Sequence, residues 1–356
     1  MNRARVVVVT GIAEAPMAAA TIALQWDLPN AVVVQHSIDV AAQQLHRVVS
    51  DVSGTVDHAV IDLQHACVPC AIREDVVPTL RRVSDDGRWD AVIAHLPVGA
   101  EASQLCRVSA SQGHAGVPIA GVIATLDGEA LIHDLLGDEL LCERGLHSSD
   151  EDERGVGEVG AAMIEYADHV ALSGVAAAKG VALVSALARP GVPVWRDCSD
   201  LEASIVLNRQ RRHQACESWV ADVRRAPLRA ARADAWTLDL RSDRPLHPDR
   251  LLQALESIGG GPRRSRGCFW LPSRPGEICG WQGAGGQLSV GPIGAWGSSK
   301  RLTRITVTGL DDGAQDIRSA FEECLLTLAE VRATGSRWNV AEDGFERWLG
   351  PIAPGA

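Results

Sequence analysis

The sequence predicts an α/β protein, with a large parallel-sheet domain at the N-terminal end and a small α+β domain after it. Short β-branched runs, at residues 5–10 and 31–35 for example, alternate with helical patterns through the first half. Strands buried on both faces and separated by helices read in this way. Near residue 208 the composition changes to an arginine-rich stretch, and beyond it several strand-like runs follow one another with few helices between them. At 356 residues and 46% hydrophobic, the chain can bury one large core and a second smaller one.

The first strand, residues 5–10, runs into Thr10-Gly11 as a buried strand runs into a turn. Further strands are predicted at residues 31–35, 58–63, 91–94, 118–125, 169–172 and 192–194. Helices are predicted between them at residues 15–26, 40–49, 76–83, 102–109 and 158–166. The stretch 138–158 holds Ser148-Ser149-Asp150-Glu151-Asp152-Glu153, and a block of like charges repels itself and stays hydrated as a loop. The predicted organisation is therefore an α/β domain over residues 1–208, an arginine-rich linker over 209–233, an α+β domain over 234–331 and a tail over 332–356. In the α+β domain the order is a strand at 236–241, a helix at 248–258, strands at 267–271, 278–284 and 302–308, and a helix at 316–331. Trp338, Phe345 and Trp348 predict that the tail packs down.

A formal net charge of −11 argues against a general nucleic-acid coat, which needs local positive potential. Lys179 and Lys300 are the only lysines, so nearly all cations are arginine. No run of about 18 apolar residues exists, so no membrane partner is expected. Nine scattered cysteines without a secretory segment suit a reducing, cytoplasmic setting.

Three groups of residues carry chemistry. Cys67-Val68-Pro69-Cys70 is a close thiol pair able to clasp a metal ion such as zinc, with His65 as a third ligand and His36 or His95 as fourths. The same spacing also suits a thiol–disulfide couple, and Arg73 on the following helix is expected to lower the thiolate pKa. A phosphate-binding loop of the form G-x-x-x-x-G-K-[ST] would begin at Gly11. Laid there, it puts Pro16, which has no N–H, at the second glycine, Met17 at the lysine and Ala18 at the hydroxyl. Finally Arg209, Arg211, Arg212, Arg224 and Arg225, close to Trp219, could hold RNA phosphates or form the wet face of a linker.

Asp62-Leu63-Gln64-His65-Ala66 before the thiols and Arg73-Glu74-Asp75-Val76 after them resemble the cysteine segment of the CobW-type P-loop proteins. Arg244-Pro245-Leu246-His247-Pro248-Asp249-Arg250-Leu251 resembles that family's C-terminal entry motif. Arg266-Gly267-Cys268-Phe269-Trp270, Ala284-Gly285-Gly286 and Cys324-Leu325-Leu326-Thr327 follow in the family's order. The resemblance implies a P-loop-like N-terminal domain, a CobW-type C-terminal domain, and binding of metal and guanine nucleotide. The family's acidic motif, however, falls on Ala94-His95-Leu96-Pro97, and its guanine-reading motif on Ser173-Gly174-Val175-Ala176. With the phosphate loop also altered, the residues argue against GTP as a cofactor and for action by binding. The continuation Arg73-Glu74-Asp75-Val76-Val77-Pro78 and the insert Asp152-Glu153-Arg154 resemble an actinobacterial branch that recruits a ribosome hibernation factor. That resemblance implies delivery of the factor to the small ribosomal subunit under zinc limitation. A GTP-dependent zinc metallochaperone and a C-x-x-C redox protein are the alternatives.

Overall fold

The computed structural model describes residues 3–63, 67–147, 152–208, 211–224, 234–335 and 338–352. Two compact units divide the chain: Met1–Asp134 with Glu139–Trp219, and Leu135–Asp138 with Val220–Ala356.

The first unit is an eight-stranded sheet with helices between its strands. β1 (Arg5–Gly11) leads through α1 (Glu14–Asp27) to β2 (Ala31–Asp39), β3 (Gln44–Asp51) and β4 (Gly54–Asp62). After them come α2 (Val68–Ala71), a π-helical turn (Ile72–Val76), α3 (Val77–Asp85), β5 (Ala91–His95), α4 (Ala102–Ser111), β6 (Ile119–Asp127) and α5 (Leu131–Leu136). The unit closes with α6 (Val156–Tyr166), β7 (His169–Ser173), α7 (Ala178–Leu187), β8 (Val194–Trp195), α8 (Ala203–Asn208) and α9 (His213–Val220). The strand order is β4-β3-β2-β5-β1-β6-β7-β8. Pairing is parallel from β2 to β8, and β3 and β4 extend the sheet antiparallel. Val7, Val9, Met17, Leu24, Ile93 and Ile123 pack into one of its core clusters.

Residues 40–49, expected to be a helix, instead form a turn at 40–43 and then most of β3. Leu45, Val48 and Val49 imitate helical spacing, but residues 45, 47 and 49 share one face of a strand. Arg47 lies on that face and forms ion pairs with Asp57 and Asp75. A charged residue pointing inward hides strand periodicity from a hydrophobic pattern. The helix after the thiols widens into a π turn, with Val77 N–H donating to Ile72 O, five residues back. Pro78 supplies the cause: it has no N–H, and its ring would crowd the carbonyl four residues earlier.

In the second unit β9 (Trp236–Ser242), α10 (Pro248–Gly259), β10 (Arg263–Phe269), β11 (Glu277–Ala284), β12 (Gln287–Ala295) and β13 (Thr303–Gly309) precede α11 (Ala314–Cys324), α12 (Leu328–Thr334) and α13 (Glu346–Leu349). Its strands pair antiparallel in the order β12-β11-β10-β13-β9. Leu251, Phe269, Trp281, Ile305, Phe321 and Phe345 pack into one core. The sequence pattern missed β12, which Gly291, Pro292 and Gly294 break up. The helix expected over 316–331 is two helices. Thr327 caps the second by accepting from Glu330 N–H, and the Glu330 carboxylate accepts in return from Thr327 N–H. The tail is pinned where Asp343 meets Arg274, a fully buried guanidinium, at 2.9 Å.

Candidate metal centre

Cys67 caps the start of α2 in an extended conformation, and its carbonyl accepts from Ala71 N–H at 3.1 Å. Val68 and Ala71 are buried, with Ala71 packed on Leu45 and Leu63. Burying these two residues turns the other face of the short helix outward, so both thiols are half-buried and reachable. The neighbouring Cys67 side chain is the first cause that pushes the Cys70 thiol up to about 11. Burial and the negative charges of Cys67 and Glu74 push the same way, and Arg73 opposes them most weakly. Arg73 does lower the Cys70 value, as expected, but the second thiol, burial and the Glu74 carboxylate outweigh it. A thiol held protonated is a poor redox nucleophile, but a metal can still displace its proton.

The histidines named as further ligands have other neighbours. His36, in the second half of β2, places Nε2 at 2.9 Å from Asp75 Oδ1 in the π turn. The same carboxylate accepts from Arg47 and, at 3.3 Å, from Thr79 Oγ1. His95 ends β5 with Nδ1 at 3.0 Å from Thr21 Oγ1 and Nε2 at 3.6 Å from Glu14 Oε1. Burial holds its imidazole below the ordinary value against the opposing pull of Glu14. His65 lies outside the described residues. Among the described residues no three His, Cys, Asp or Glu side chains converge as a ligand set.

Where a phosphate loop would lie, only Ile12 and Ala13 separate β1 from α1. Residues 14–18, the second half of the motif template, are already helical. Pro16 and Met17 are buried, and Met17 belongs to the core. A Cβ on Gly11 would stand 2.5 Å from Thr125 Oγ1 and 2.8 Å from Met17 Cγ, so the space over the glycine is already filled. Glu14 at the start of α1 sets a carboxylate against the positive end of the helix. That charge attracts cations and repels phosphate, so GTP does not fit this loop. Beside it, along the carboxyl ends of β2 and β5, opens a cavity of about 880 Å³ lined by Glu14, His36, Asp39, His46, Pro97 and His147 among others. Open α/β sheets hold ligands at this edge. Among the described residues neither Lys nor Arg lines it.

The arginine cluster is divided by the fold. Arg209 and Arg225 lie outside the described residues. Arg211 is turned inward, with Nε 3.0 Å from the buried Asp168 carboxylate. Arg224 is buried in the second unit, 6% exposed, and only Arg212 is exposed among the described three. Sequence reasoning read these arginines as one surface because nothing local shows that Asp168 claims the first of them. The residues it missed are Glu14 and Asp75, each brought to its histidine from a distant part of the chain.

Residues 23–190 match the CobW/HypB/UreG nucleotide-binding domain, a span that begins past Gly11 and Met17. Residues 235–325 match the cobalamin synthesis protein cobW C-terminal domain. A protein of Mycobacterium tuberculosis named zinc chaperone Rv0106 is 25% identical over 326 residues, covering 81% of this chain and 79% of that one. The zinc-regulated GTPase metalloprotein activator 1 of Dictyostelium discoideum is 19% identical over 349 residues, covering 83% of this chain and 70% of that one. The crystal structure of the Zn(II)-bound YjiA GTPase from E. coli aligns over 92% of this chain and 100% of that one, at 17% identity and a TM-score of 0.34. With both family domains matched in order along most of its length, the chain belongs to the CobW family.

Proposed function

We propose that this protein carries zinc on Cys67 and Cys70 and passes it to an acceptor without turning over GTP. The observation that carries this reading is the pair of half-buried thiols set at the start of α2, with two residues between them. Relatives named as a zinc chaperone and a zinc-regulated GTPase metalloprotein activator support the choice of metal. The filled space over Gly11 supports separating zinc handling from nucleotide hydrolysis.

Competition against a chromophoric zinc chelator tests the proposal. The wild-type chain should hold one tightly bound zinc, and Cys67→Ser with Cys70→Ser should weaken that site by at least about 100-fold, because each thiolate is a direct ligand. Affinity should rise with pH, since Cys70 must release its proton. Tight zinc binding that survives the double substitution sinks the reading. A parallel titration with GTP and magnesium should show no saturable binding.

Recruitment of a ribosome hibernation factor to the small subunit is a second proposal, and the one feature that favours it is the exposed Arg212 beside the arginine-rich segment. On sucrose gradients the protein should then comigrate with small subunits, more so in zinc-starved cells, and Arg212→Glu should release it. Free protein at the top of the gradient under both conditions removes this reading.

A further inference from the structure

We propose that β4, the outer strand of the eight-stranded sheet, pairs antiparallel with β4 of a second copy of this chain, joining two sheets across a two-fold axis. The inference goes beyond the zinc reading and stands without it.

β4 ends the strand order, and among the described residues no strand pairs with its outer side. A row of unpaired N–H and C=O groups on an open edge is a template for another strand, and proteins blunt such edges by shortness, proline or lysine. β8, at the far side of the same sheet, has two residues, and the β12 edge of the second unit carries Gly291, Pro292 and Gly294. β4 runs for nine residues with no proline, lysine or arginine. Its carboxylates are engaged within their own chain: Asp57 pairs with Arg47 and Arg82, and Asp62 accepts from Gln44 Nε2 at 3.0 Å.

The ladder fixes the register. Leu63 N–H donates to Gln43 O on the β3 side. Backbone groups alternate along a strand, so Ile61 and Ala59 turn theirs toward Leu45 and Arg47 of β3. His58, Val60 and Asp62 therefore present their N–H and C=O groups outward. Between Asp57 and Thr55 the pairing with β3 shifts, which ends the regular run. Only a centre at Val60 sets these three residues against the same three of a second copy. Val60 then faces the partner's Val60, and His58 faces the partner's Asp62 on either side of the axis. Each such pair can exchange two backbone hydrogen bonds.

The side chains suit that pairing. Val60 is 47% exposed, so the central contact removes apolar surface that a lone chain leaves in water. Each flanking pair sets an imidazole beside a carboxylate, a favourable cross-strand combination, and no like charges stand opposite each other.

Sedimentation velocity of the full chain, with chelator and reductant present to exclude zinc and disulfide bridges, should show a dimer that grows with protein concentration. Val60→Lys places two ammonium groups opposite each other at the axis and should raise the dimer dissociation constant at least about 100-fold. The Val60 side chain is exposed and its backbone groups point away from β3, so the fold tolerates that change, and circular dichroism checks it. Val60→Cys should form a disulfide between two copies under mild oxidation, mapped by mass spectrometry of the joined peptides. His58→Cys should not, because those two positions would lie about 13 Å apart along the strands, beyond the ~7 Å reach of a disulfide. The proposal is overturned if the chain stays monomeric at every concentration, its edge left for a strand of another protein. It is overturned equally if Val60→Lys dimerises as tightly as the wild type, or if position 58 crosslinks in place of position 60.

Discussion

Replacing Met17 with lysine lowers the free energy of unfolding by about 3–5 kcal/mol, the range for an uncompensated buried charge, and creates no affinity for GTP. Met17 occupies the position at which a phosphate loop keeps its lysine, but its side chain is fully buried in a hydrophobic cluster with Val7, Val9 and Leu24. An ammonium there has no partner and no water. Met17→Leu conserves volume and polarity, so it should cost less than about 1.5 kcal/mol. Urea unfolding followed by far-ultraviolet circular dichroism gives both values. A lysine variant as stable as the wild type that also binds GTP would show that the loop opens.

Asp75→Ala should cost about 3 kcal/mol, because it leaves Arg47 and His36 facing each other in a mostly buried space. Asp75 is 8% exposed, and three neighbours hold its carboxylate. Burial alone would raise its pKa, yet the His36 hydrogen bond, the charges of His36 and Arg47 and the Thr79 hydroxyl bring it below the ordinary carboxylate value. The sign of the pH effect follows from this depression. The stabilisation is fully present above the unfolded-chain value of about 3.9 and is lost as pH falls through the lower folded value. Acid unfolding of the wild type should therefore steepen below about pH 4, and the alanine variant should lose that extra slope. Equal slopes in the two proteins would remove Asp75 from the account of acid stability.

The central strands were legible because β1, β2 and β5 are continuous apolar runs, which a buried parallel sheet requires. The pattern failed where a tertiary partner reverses the local meaning of a residue. Arg47 reads as the polar side of a helix until Asp57 and Asp75 are opposite it. Arg211 reads as a surface cation until Asp168 is beneath it. The thiol pair was visible from spacing alone, and the loss of the phosphate loop from three substitutions at fixed offsets. The approach of Glu14 to His95 had no sequence signal, since it exists only once β1 and β5 lie side by side.

The widened turn ahead of Pro78 bears on how cargo could come and go. Its backbone ladder is interrupted between the segment that carries the cysteines and the longer helix that covers the sheet. A short coil joined through such an irregular step can tilt or unwind alone, at a fraction of the free energy needed to open the whole domain. Loading and release of an ion would then be a local event, leaving the eight-stranded scaffold undisturbed.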